Sequence, residues 1–146
     1  MSDTQPGEIK GFSYVAPPPS DRAKKLVHVG RAGVLDLHVQ VIRKGVGNNM
    51  HYHTNCDEAF LVMAGRVRFY GPGDTVIGEY GPQEGVTIPA NAQYWFEAVS
   101  DEPLQIMRIG GTHLGLQEKR INVGEMPEWM KAEGKVITEE SKRERW

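Results

Sequence analysis

Two histidines one residue apart, His51 and His53, are followed by an acidic residue, Glu58. In extended chain, side chains two apart share a face, so both imidazoles can address one point while Tyr52 faces away. A turn through Thr54 to Asp57 would then let a second strand bring the Glu58 carboxylate alongside, with Phe60 and Val62 next on the same face. Two imidazoles and one carboxylate form the ligand set of non-heme Fe(II) sites, and Mn, Ni, Zn or Co can occupy similar sets. A lone His-x-His pair is common on surfaces. The carboxylate at this remove and the glycines on either side, Gly45 and Gly65, mark this pair as a candidate metal site. Asp57 is an alternative carboxylate, and Cys56 beside it reads as a small buried apolar residue.

The elements that must hold these groups are short. Apolar or alternating runs recur at 26–29, 34–42, 59–63, 67–70, 75–80, 86–88, 94–99 and 104–109, separated by Gly, Pro, Asn and Asp. Many short strands with closely spaced turns predict an antiparallel sandwich or barrel. Residues 1–24 are polar and carry Pro17-Pro18-Pro19, which predicts an extended arm, since proline cannot donate to a sheet ladder. Residues 25–112 are expected to form the barrel. The C-terminal extension, 113–146, holds one short helical pattern at Pro127 to Ala132, with proline in its first turn, and a charged tail from Thr138 expected to be solvated.

At the histidines the sequence resembles the cupin superfamily, whose first motif runs G-(x)5-H-x-H-(x)3,4-E-(x)6-G; Gly45, His51, His53, Glu58 and Gly65 occupy its fixed positions. The resemblance covers roughly Leu26 to Gly111. It implies an all-β fold, a conical antiparallel barrel or jelly roll with a divalent metal inside, Fe(II) first among the candidates. The family's second motif, G-(x)5-P-x-G-(x)2-H-(x)3-N, follows in altered form. Anchored on Pro89, it places Gln83 and Asn91 at its two glycines, Tyr94 at its histidine and Ala98 at its asparagine. Asparagine is well suited to positive φ. Tyr94 is the consequential change, because a phenol with an ordinary pKa near 10 binds metal well only as phenolate. Three roles are open to it: metal ligand, proton donor aimed at a bound substrate, or filler of a pocket that has lost its metal. Proton donor is the reading preferred here, with Tyr94 and Glu58 as the catalytic candidates.

Other residues carry weaker signals. Along 34–42, Leu35, Leu37, Val39 and Val41 alternate with Asp36, His38 and Gln40. The polar set is expected to face solvent, with His38 and Gln40 as weak pocket candidates and His38 as a substitute ligand if it turns inward. Tyr94, Phe96 and Ala98 share a strand face, and Met107 is expected across from them; Phe60, Phe96 and Met107 are weak substrate-pocket candidates. His113 is expected on the surface, with a swing toward the metal as the alternative, and His28 and Arg108 give no separable signal.

Composition narrows the function. The 146 residues carry 17 Lys and Arg against 19 Asp and Glu, a formal charge of −2, which argues against a nucleic-acid partner or a polybasic membrane anchor. No apolar run approaches the roughly 20 residues that cross a bilayer. The single cysteine and a start without a basic-then-apolar leader point to the cytoplasm. A small-molecule substrate or ligand is therefore expected, and a homodimer, since a small barrel leaves sheet edges to cover. The leading expectation is a metal-dependent enzyme, either an oxygenase or dioxygenase or a Lewis-acid isomerase, cyclase or lyase. The alternative is a non-catalytic ligand-binding cupin.

Overall fold

The computed structural model describes residues 6–133; the charged tail from Thr138 lies outside them. Ten strands occur among these residues: β1 (Lys24–Ala32), β2 (Leu35–Ile42), β3 (His51–Thr54), β4 (Cys56–Ala64), β5 (Val67–Gly71), β6 (Thr75–Tyr80), β7 (Gly85–Ile88), β8 (Trp95–Ala98), β9 (Leu104–Thr112) and β10 (Lys119–Asn122). One short helix, α1 (Glu128–Glu133), follows. The pairings are antiparallel and give a five-stranded sheet, β1-β2-β9-β4-β7, with two smaller ones, β6-β5-β8 and β10-β3. The smaller two meet at His51 and Tyr94, which exchange backbone hydrogen bonds of 3.0 Å in each direction. The second layer therefore runs β6-β5-β8-β3-β10, and the two layers enclose the core.

Alternation decides what fills it. On β4, Glu58, Phe60 and Val62 are buried while Leu61 and Met63 face out. Phe60, Phe69, Tyr94 and Phe96 form a cluster within the core, with ring centroids 5.1–6.0 Å apart in tilted or edge-to-face geometry. Three of these rings, Phe60, Tyr94 and Phe96, also line the cavity described below.

The turn positions carry the backbone the motifs imply. Gly45 and Gly65 have φ of 80° and 78°. At Gly65 an added Cβ would also lie 2.9 Å from the Leu104 Cα, so glycine is required on two counts. Gln83 and Asn91, which stand at the two glycine positions of the second motif, keep φ of 71° and 72°. That part of the motif survives as backbone geometry although its glycines are gone.

The arm lies against the five-stranded sheet, with the Tyr14 hydroxyl donating to Gln105 Oε1 at 2.8 Å. At the other terminus, Trp129 of α1 packs on the core and its indole N–H donates to the Gly47 carbonyl at 2.7 Å.

Candidate metal and catalytic site

β3 presents His51 and His53 on one face, with ring centroids 5.0 Å apart. Each imidazole has its Nδ1 committed. His51 Nδ1–H donates to the Asn49 carbonyl at 2.6 Å, and His53 Nδ1–H donates to the Glu118 carboxylate. These contacts fix the tautomers and leave both Nε2 lone pairs for the cavity, the arrangement that metal-bound histidines adopt. Burial, reinforced by the nearby Arg120 charge, lowers the His51 pKa to about 3, so this imidazole is neutral at ordinary pH.

Glu58, on β4, is almost wholly enclosed. Its Oε1 accepts from the Tyr94 hydroxyl at 2.9 Å and its Oε2 from Arg108 Nε at 2.5 Å, while His53 Nε2 lies 3.6 Å from Oε2. Burial works against the Arg108 charge, but the Glu58 carboxylate, by charge and hydrogen bond, more than reverses this. Burial first, and then the Glu58 charge, raises Tyr94 well above 10. Its phenol keeps its proton and donates it in the hydrogen bond to Glu58. The space for Arg108 comes from Gly110, which lies opposite Glu58; a Cβ there would stand 2.6 Å from the guanidinium.

These groups line a cavity of about 190 Å³. It brings together His51, His53, Glu58, Tyr94, Phe60 and Phe96, together with His38 and Gln40. The last two correct the wet-face expectation for 34–42: His38 and Gln40 are 4% and 7% exposed, whereas Leu35 is 45% exposed. β2 lies between β1 and β9, and its register sets Gln40 opposite Ile106 and His38 opposite Arg108, both on the inner face. Met107 is also corrected. It pairs with Val39 and Leu61 on the outer face and does not line the cavity; its neighbour Arg108 does. Asp57 points outward on β4 and accepts from the Ala90 amide and His113, so neither it nor His113 joins the site. A larger hollow of about 330 Å³ beside the 113–118 loop shares Arg108 and Glu118, but neither histidine of β3 lines it.

Six cavity residues escaped the sequence reading, Leu26, Asn48 and four that are charged: Lys24, Arg108, Glu118 and Arg120. Arg108 was legible in principle, as a charge interrupting the buried alternation Leu104, Ile106 on β9. Glu118 and Arg120 come from β10 and its approach, where Ile121 is the lone apolar residue of a four-residue strand.

Among the described residues no three His, Cys, Asp or Glu side chains converge as a metal cluster, and Glu58 is hydrogen-bonded to Arg108 and Tyr94. The donor chemistry nevertheless fits a divalent ion. Both imidazoles offer Nε2, and a ligating carboxylate commonly keeps an outer hydrogen-bond partner, the part Arg108 would play.

The family model for the cupin domain matches residues 38–110, half of the chain. The chain belongs to the cupin family. Solved cupin structures share its fold. An RmlC-like cupin from Desulfovibrio desulfuricans is 18% identical with a TM-score of 0.61 over 71% of this chain and 97% of that one. A sugar phosphate isomerase of the cupin superfamily from Silicibacter pomeroyi is 17% identical, with a TM-score of 0.53 over 62% of this chain and 57% of that one. Tomato vicilin is 21% identical, TM-score 0.52, over 61% of this chain, which spans only 25% of the vicilin chain. No curated protein matches the sequence.

Proposed function

We propose that this cupin is a metal-assisted proton-transfer enzyme of the isomerase or lyase type, acting on a small molecule, with His51, His53 and Glu58 as the residues that would hold the ion. The observation that carries this reading is the 2.9 Å hydrogen bond from the Tyr94 hydroxyl to Glu58 beside the two imidazoles, a proton donor and a proton acceptor in contact inside one cavity. A bound divalent ion would supply a Lewis acid for a substrate oxygen.

The protein's own groups supply the rest. Glu58 can accept a proton from a substrate carbon or hydroxyl, and Tyr94 can return one to the oxygen where charge develops. Arg108 holds Glu58 through Oε2, which leaves Oε1 to Tyr94. Phe60 and Phe96 form an apolar wall that limits water beside the transfer. The likeness to a sugar phosphate isomerase is one of fold, and supports the reaction class only by analogy.

Solvent exchange tests this reading. The metal-loaded protein, incubated in D2O with a panel of small carbonyl compounds, is expected to introduce deuterium at a carbon of at least one, read by NMR. Tyr94→Phe should keep the metal and lower the exchange rate by about 10²–10⁴. Exchange at the full rate in that variant would remove Tyr94 from the chemistry.

A further inference from the structure

Of the three cations that line the cavity, Lys24 lies over the Phe96 and Trp129 rings, 5.7 Å and 5.8 Å from their centroids. Arg108 is matched by Glu58, and Glu118 is hydrogen-bonded to His53. Arg120 has no carboxylate within ion-pair distance among the described residues. Arg120 is exposed on β10 and lines the rim of the cavity; its Nη2 donates to Asn49 Oδ1 at 2.5 Å and its Nε to Asn122 Oδ1 at 3.1 Å, both neutral amide oxygens, while Nη1 makes no hydrogen bond to the described residues and is open to solvent or a ligand. Asn49 is itself buried and tied to the Gly124 carbonyl at 3.1 Å, so the guanidinium is held in place before anything binds.

Register puts this cation at the reacting groups. Arg120 pairs directly with His53 across β10 and β3, and directly opposed residues share a face. An arginine held by two amides, facing a cavity with a surplus of positive charge, suits an anion with two oxygens in one plane.

A second, independent feature lies on β2. Gln40 is 7% exposed and lines the same cavity. Its amide nitrogen contacts His38 Nε2 at 3.1 Å, but its Oε1 is buried without a hydrogen-bond partner. A buried acceptor left unmade is costly, so it marks a place for a donor that the protein does not supply. The volume of about 190 Å³ sets the scale. It lies below the range usual for drug-sized ligands and suits a small one.

We infer that the substrate of the proposed proton-transfer reaction is a small hydroxycarboxylate, its carboxylate anchored by Arg120 and its hydroxyl donating to Gln40. This rests on the preceding reading for the chemistry, but the binding itself needs no metal.

Calorimetric titration of the metal-free protein with lactate, propionate and lactamide separates the parts, since propionate lacks the hydroxyl and lactamide lacks the charge. Lactate should bind most tightly, and each control about tenfold or more weaker, the usual worth of one charge-assisted or buried hydrogen bond. Arg120→Gln should lower lactate affinity about tenfold or more while leaving lactamide unchanged, with Arg120→Lys in between. Gln40→Leu should bring lactate and propionate to parity. Lactamide binding as tightly as lactate, undiminished lactate binding in Arg120→Gln, or no lactate binding at millimolar concentration in the wild type would each overturn the inference. Failure here is distinct from failure of the reaction class: a protein that exchanges deuterium yet ignores lactate loses only the substrate assignment. One that binds lactate through Arg120 but never exchanges loses only the chemistry.

Discussion

Removing Arg108 while keeping Glu58 isolates the electrostatics of the site. The Glu58 side chain is 1% exposed and that of Arg108 12%, and their contact is 2.5 Å, so the pair is buried and close. Arg108→Met leaves a buried carboxylate with Tyr94 as its remaining donor. Breaking a buried pair from one side costs about 3–5 kcal/mol. For a domain of this size each kcal/mol moves Tm by roughly 3–5 °C, so a fall of about 10–25 °C is expected. The double variant Glu58→Gln with Arg108→Met removes both charges and should recover about half or more of that loss, because no lone charge stays buried. Urea unfolding of the wild type, both single variants and the double, in chelator so that no ion substitutes for Arg108, gives the coupling energy directly. A single-variant loss below about 0.5 kcal/mol, or strictly additive losses in the double, would refute a buried pair that holds Glu58 in place.

Acid should weaken the fold through His51. Its folded pKa of about 3 lies below the ordinary 6.5, so the folded state binds fewer protons, and the contribution is complete above pH 6.5 and lost as pH falls toward 3. At about 1.4 kcal/mol per pH unit the span is worth at most about 5 kcal/mol, and His51→Gln should flatten that part of the stability curve; an unchanged slope in the variant would place the acid sensitivity elsewhere. Gly65→Ala, at φ 78° and 2.9 Å from the Leu104 Cα, should cost more than about 1 kcal/mol in the urea midpoint, and a neutral result would contradict the close approach. Gln83→Gly, at φ 71°, should instead raise the midpoint by up to about 1 kcal/mol, because the left-handed conformation favours glycine; a fall would mean that the glutamine side chain is needed.

The fold was legible because it is written in period and punctuation. All eight apolar runs lie on strands, and the glycine positions of both motifs take positive φ even where Gln83 and Asn91 replace glycine. The faces of β2 were not legible, since Leu35 and His38 alternate cleanly but the alternation does not say which side the second layer covers. β10 left almost no signal. Its strand character comes from pairing with β3 rather than from Lys119-Arg120-Ile121-Asn122 itself, and with it came Glu118 and Arg120. Tyr94 could be placed by the motif, but its choice of Glu58 as hydrogen-bond partner depends on the packing of β8 against β3 and β4.

Whether the shared face of His51 and His53 is a metal site is open to one direct measurement. Apo-protein titrated calorimetrically with Mn(II), Ni(II) and Zn(II), and anaerobically with Fe(II), should take up close to one equivalent of at least one ion. His51→Ala and His53→Ala should take up none while keeping the β-sheet circular dichroism of the wild type. Undiminished uptake in both variants, or no uptake of any of these ions by the wild type, would contradict the assignment.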